Sequence, residues 1–169
     1  MAGIGGLFEA TGDLRIALTG APMQASLDGE PLAWNASHQM QTGQKLEIGA
    51  ARKGVYGYLH LGGGIDSEVL LGARSAHLMS GLGQLVAAGD LLPCGPDHSR
   101  EVGLGLLAED RFQGGALRIV EGFQSELFDA EVRARFANTA FKRGSRANRM
   151  GVEMISEGAG FAAAGQLNI

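Results

Sequence analysis

The chain has one cysteine in 169 residues, so no intramolecular disulfide can form. That usage fits a reducing cytoplasm, the compartment expected here. Cys94 sits in Pro93-Cys94-Gly95-Pro96, with no nearby His–Asn pair to make it a thiolate nucleophile. No apolar run approaches the roughly 20 residues needed to cross a bilayer, and no basic stretch precedes an apolar one at the start. No membrane association is expected. Basic charge is also short: the net charge is -4 and the pI about 5.5, which argues against a nucleic-acid partner. The one basic cluster, Lys142, Arg143, Arg146 and Arg149, reads as a solvated strand edge or loop, with an anion site as the alternative.

Catalytic patterns are equally sparse. His38, His60, His77 and His98 lack metal-ligand spacing, so no metal is expected. There is no Gly-x-Ser-x-Gly elbow and no Walker phosphate loop, so any ATP is held by another route. Gly81-Leu82-Gly83 lacks the third glycine of a dinucleotide fingerprint and reads as a turn. Glu109-Asp110 reads as a solvated loop.

What is abundant is glycine, 28 residues at irregular spacing, as expected of many tight turns between short strands. Strands are predicted at Leu14 to Leu18, Met23 to Leu27 and Lys45 to Ile48. Asp28-Gly29 predicts a hairpin whose return strand runs through Leu32 and Trp34. A second hairpin is predicted at Arg52-Lys53-Gly54, leading into Val55 to Leu61, the strongest strand pattern in the chain. Short helical turns are expected at Ser67 to Leu71 and Ser75 to Leu78, and further strands at Leu91-Leu92, Leu117 to Val120 and Val152 to Ile155. Leu127, Phe128, Val132 and Phe136 recur at helical spacing, predicting a helix from Ser125 to Phe136 capped by Ser125.

Two segments stand above this background. Gly62-Gly63-Gly64-Ile65-Asp66, followed by Gly72-Ala73-Arg74-Ser75, combines backbone N–H groups with side-chain donors suited to a carboxylate or carbonyl. An internal ion pair of Arg74 with an acidic residue is the structural alternative. Glu121-Gly122-Phe123-Gln124 and Ala147-Asn148-Arg149-Met150-Gly151 again combine a glycine turn, an amide and an arginine. The alternative there is a turn held by side-chain hydrogen bonds. His60 ends a strand beside the glycine run.

These segments carry a resemblance. Tyr58-Leu59-His60-Leu61-Gly62-Gly63-Gly64-Ile65 and Leu71-Gly72-Ala73-Arg74-Ser75 resemble the "YLAVAGGI…LGSRS" signature of the allophanate hydrolase subunit 2 family, also described as the C subunit of 5-oxoprolinase or the KipI antagonist. Gly81-Leu82-Gly83 and Gly89-Asp90-Leu91-Leu92 are similar to its "GLGG…GD.L" continuation. Leu117 to Gln124 with Phe128 resembles "VRVLPGPQ…F", and Asn148-Arg149-Met150-Gly151 resembles "SDRMG". Glu121 and Phe123 replace two prolines of that pattern, and Ala147 and Asn148 replace its serine and aspartate. The family's N-terminal "TVQD.GR" and C-terminal "TTGGYP" motifs are not in this sequence, so a central fragment, inactive by itself, is expected.

The resemblance implies a mainly β fold with short helices and cyclophilin-like β-barrel subdomains, incomplete at both ends. Residues 1–110 are expected to form the first and 111–169 the start of the second. It implies a related partner, subunit 1 (the B subunit), together with the A component of the same assembly, which jointly perform ATP-dependent opening of 5-oxoproline to glutamate. Two alternatives remain: the biotin-dependent carboxyltransferase half of a urea carboxylase, or a non-catalytic regulatory binding subunit. Arg74, Ser75, His60 and Arg149 are the expected catalytic positions, and Gly63, Gly64, Gln124 and Asn148 are expected to bind a small amide substrate.

Overall fold

A computed structural model describes residues 1–107, 112, 116, 118–158 and 160–163. The chain divides into two compact units, Met1–Gly114 and Gly115–Ile169. The chain is mainly antiparallel β-structure, as the sequence predicts.

The first unit holds β1 (Leu7–Glu9), β2 (Leu14–Gly20), β3 (Met23–Leu27), β4 (Glu30–Pro31), β5 (Ala36–Met40), β6 (Lys45–Ala51) and β7 (Gly57–Leu61). One sheet has the order β1-β6-β3-β4 and the other β5-β2-β7. Period-2 alternation selects the inner faces. Ile16 and Leu18 of β2, and Leu46 and Ile48 of β6, are almost fully buried, while Glu47 between the latter two is exposed. With Ala10, Met23 and Met40 they form one core cluster. Burying each such aliphatic side chain contributes about 1.5–3 kcal/mol, so these four positions orient both sheets.

The Asp28-Gly29 turn forms as predicted, with φ of 49° and 88°, the conformation a two-residue hairpin needs. Its return strand is shorter than expected and stops at Pro31; Asn35 follows in the left-handed region at φ 58°, turning the backbone away. The Arg52-Lys53-Gly54 turn does not close a hairpin. Both edges of β6 are already occupied by β1 and β3, so the chain crosses over and β7 pairs with β2. On the far side, β5 is bordered by residues 103–106: Ser37 N–H donates to Leu104 O, Leu106 N–H donates to Asn35 O, and Ala36 bridges Gly105.

The helical turns expected at Ser67 to Leu71 and Ser75 to Leu78 are not formed. Leu71 and Gly72 both take positive φ, 51° and 79°, which no right-handed helix accommodates; a 3-10 turn covers Leu78–Ser80 instead. Leu91-Leu92 is not a strand. The chain just beyond it pairs with the segment after β7, through an Ile65–Cys94 bridge.

In the second unit a 3-10 turn, Ser125–Leu127, precedes α1 (Ala130–Ala137), and β8 (Phe141–Ala147) pairs with β9 (Val152–Ser156). The continuous helix expected from Ser125 is broken because Phe128 is extended, at φ -106° and ψ 130°. The N-cap position of α1 is Asp129; Ser125 Oγ instead accepts the Gly122 N–H at 3.0 Å. Phe136, Phe141 and Phe161 gather with ring centroids 5.0–5.8 Å apart, tying α1 to β8. Residues 118–120 are not a strand. Glu109-Asp110, Leu117 and most of the tail from Ala159 lie outside the described residues.

Candidate functional site

The glycine run after β7 is built for close backbone approach. Gly63 and Gly64 take φ of 79° and 78°, where a Cβ is disfavoured. A Cβ on Gly63 would overlap the carbonyl oxygen of Gly95, and one on Gly62 would overlap the Asp97 carboxylate. Asp66 N–H donates to Pro93 O at 2.7 Å and Gly95 N–H to Gly64 O at 3.0 Å, stitching residues 93–95 alongside. The amides the sequence suggested as exposed donors are partly used inside the protein: Gly62 N–H donates to Arg15 O and Gly64 N–H to Leu61 O.

Asp97 continues this seam. Arg15, from β2, donates to it through Nε at 2.7 Å and Nη2 at 2.9 Å, and its Nη1 reaches Glu101 O. This bidentate pairing holds the Asp97 carboxyl down to about 2, with the Ser99 N–H adding to the effect. Sequence reasoning missed this pair because its partners lie far apart in the chain and neither sits in a motif.

Arg74 is braced within its own loop. Its Nη2 pairs with Asp66 at 2.8 Å and its Nη1 donates to Ser67 O, so the internal ion pair, the structural alternative for this segment, does form. With Ser75 it lines an opening of about 570 Å³ that also receives Glu68 and Asp90. A larger cleft of about 850 Å³ runs beside it over the open end of the core, lined by Phe8, Leu14, Leu46, Leu61 and Leu91. Both volumes suit a small molecule. His60 lines neither; it stands on the outer face of β7, where its Nε2 lies 2.7 Å from Thr19 Oγ1. Among the described residues no cluster of His, Cys, Asp and Glu is arranged to hold a metal.

The remaining predicted positions belong to the second unit. Gln124 occupies the N-cap position of the first 3-10 turn there. Asn148 holds the β8–β9 turn: its Oδ1 accepts the N–H groups of Met150 at 2.8 Å and Gly151 at 3.1 Å. Arg149 is exposed at the tip of that turn. Glu121, which stands in place of one of the prolines, pairs with Arg133 of α1 at 3.1 Å. The cluster Lys142, Arg143 and Arg146 lies along β8, the solvated strand edge that its composition suggests.

Chemically, the first unit offers a braced guanidinium beside a hydroxyl at the mouth of a cleft, an arrangement able to hold a carbonyl or carboxylate. None of the described helices is long and apolar enough to cross a membrane.

Residues 1–168 match the carboxyltransferase domain, subdomain A and B. The chain is 30% identical to the 5-oxoprolinase C subunit of Escherichia coli (strain K12) over 145 residues, covering 82% of this chain and 46% of that protein. It therefore spans less than half the length of that relative. The crystal structure of TTHA0988 superposes with a TM-score of 0.81 at 30% identity, over 92% of this chain and 58% of that one. The Kluyveromyces lactis urea carboxylase shares the fold, with a TM-score of 0.73 at 24% identity, over 97% of this chain and 16% of that one. From the matched span and these likenesses together, the chain belongs to the carboxyltransferase domain family, subdomain A and B.

Proposed function

We propose that this chain is part of a 5-oxoprolinase-type subunit that, with a related B subunit and the A component, opens 5-oxoproline to glutamate at the expense of ATP. The observation that carries this reading is the 30% identity to a 5-oxoprolinase C subunit across 82% of the chain. The geometry supports it through Arg74. A guanidinium fixed by Asp66 and by Ser67 O keeps further N–H donors for a substrate oxygen without reorganising. Ser75, beside it at the same opening, adds a hydroxyl. In the same reading Arg149 and Gln124 meet substrate or partner, and Gly63 and Gly64 shape the approach.

A second reading, transfer of a carboxyl group from carboxybiotin to urea, is supported by the match to the carboxyltransferase domain over residues 1–168. Biotin would then be supplied by a partner domain.

The test is ATP turnover by the protein, extended to its native ends and mixed with its partner subunits. One arm receives 5-oxoproline and the other urea with bicarbonate. Glutamate formation in the first arm supports the hydrolase, and stimulation only in the second moves the protein to carboxyl transfer. Arg74→Ala should abolish turnover while leaving assembly intact; unchanged kinetics would remove Arg74 from the site.

A further inference from the structure

The hairpin of β8 and β9 is a two-stranded sheet, and neither outer edge carries a further strand among the described residues. Beyond its ladder with β9, the backbone of residues 141–147 makes no backbone hydrogen bond among the described residues. Alternate N–H and C=O groups of β8 therefore point outward, unpaired.

Charge is divided unevenly over this hairpin. β8 and its turn carry Lys142, Arg143, Arg146 and Arg149, all exposed. Lys142 pairs with Glu157. Glu153, the one acid within β9, lies against Gly144, where a Cβ would meet its carboxylate. Arg143, Arg146 and Arg149 make no ion pair or hydrogen bond among the described residues.

These features select the occupant. Two copies joined β8 to β8 would set cations opposite one another, which is unfavourable; the charge blocks the self-pairing that an open edge invites. The β9 of a second copy brings only Glu153, already seated on its own hairpin. A nucleic-acid backbone would meet the cations but has no row of N–H donors for the outward carbonyls. An extended acidic peptide supplies donors, acceptors and counter-charge together.

We propose that the outer edge of β8 takes an extended acidic segment of a partner protein as a third strand, with carboxylates set against Arg143 and Arg146. The seven residues of β8 offer about 20 Å of ladder. Arg143 is cross-strand from Met154, so both share one face, and acids on alternate residues of the added strand would line that face. The surface belongs to the second unit alone and is independent of the reaction proposed above.

The test uses the full chain labelled with ¹⁵N and titrated with a capped peptide alternating glutamate and valine. Amides of residues 141–147 should shift and exchange more slowly, and added salt should weaken binding several-fold as the Debye length shrinks. The matching lysine–valine peptide should leave them unmoved. Replacing Arg143 or Arg146 singly by Gln should raise Kd about twofold to fivefold, the scale of an exposed ion pair. Arg143→Glu combined with Arg146→Glu should reverse the preference, so that the lysine–valine peptide binds, a result that an unfolded hairpin would not give. A fully N-methylated glutamate–valine peptide keeps its charge but has no donor for a ladder, and it should not bind. Equal binding by that peptide, or by the lysine–valine one, would overturn strand addition. The same spectra read the other occupants. Shifts that grow with protein concentration, without peptide, would assign the edge to a second copy. Protection of residues 141–147 without peptide, in the protein extended to its native ends, would assign it to the chain itself. Either result overturns the proposal.

Discussion

Gly63 and Gly64 share a backbone conformation but not a neighbourhood, and that difference makes a test of the seam against residues 93–97. Both have φ near 80°, so alanine at either position carries a left-handed penalty of about 1–2 kcal/mol, offset by about 0.4–1 kcal/mol through the stiffer unfolded chain. At Gly64 nothing lies within 4 Å of the added Cβ, so the net cost of Gly64→Ala should be about 1 kcal/mol. At Gly63 the Cβ meets the Gly95 carbonyl, which is backbone and cannot swing aside. Relief requires opening the seam and giving up the Gly95–Gly64 and Asp66–Pro93 hydrogen bonds, about 1 kcal/mol each. Gly63→Ala should therefore cost about 3 kcal/mol. Trp34, the single tryptophan, lies against the core cluster of the same unit and donates to Gly20 O, so its fluorescence reports urea unfolding there. With a slope of about 1.5 kcal/mol/M, Gly64→Ala should lower the midpoint by about 0.7 M and Gly63→Ala by about 2 M. Equal midpoints for the two variants would refute the close approach.

Two further outcomes follow from named contacts. The Asp97 carboxyl, held at about 2 by Arg15, is a lowered acid: its contribution is fully present above its ordinary value of 3.8 and is lost as pH falls toward about 2. Asp97→Asn should thus be less stable than wild type at neutral pH, and the gap between their urea midpoints should close between about pH 4 and pH 2; a gap independent of pH would contradict the ion pair. Asn148→Ala removes the acceptor of the Met150 and Gly151 amides. It should destabilise the β8–β9 turn by about 1 kcal/mol, seen as faster amide exchange at those two residues, whereas Asn148→Asp should preserve their protection.

Much of the first unit is legible in the sequence because its signals are local. β3 and β6 announce themselves by side-chain alternation, β2 by a looser apolar pattern, and the Asp28-Gly29 turn by a residue pair favoured at its dihedral angles. What is not legible depends on distant partners. That β7 joins β2 rather than β6 follows from β1 and β3 having taken both edges of β6, which no window of neighbouring residues reveals. The Leu71-Gly72 reversal, placed within an apolar run that reads equally as a helical turn, is set by the pairing of Leu70 with Ala73. At the candidate site, motif order points to Arg74 and His60, but their partners differ in how visible they are. Asp66 is eight residues from Arg74 and within reach of sequence reasoning, whereas Thr19 meets His60 only through strand register. Asn148 shows the converse: a residue singled out as a substrate ligand has its side-chain oxygen spent on its own turn.

The run of residues 103–106 beside β5 has a consequence for solution behaviour. An uncovered edge strand is a template on which a foreign strand, or a second copy of the same chain, can polymerise. Here Ser37 N–H is matched by Leu104 O and Ser37 O by Gly103 N–H, while Leu104 N–H also bonds to Ser37 Oγ. The molecule thus covers the β5 edge of that sheet with a stretch contributed from 67 residues away, closing a long loop to do so. Protection against intermolecular aggregation therefore arrives late, once that loop has closed. Until then the nascent sheet is most exposed to self-association.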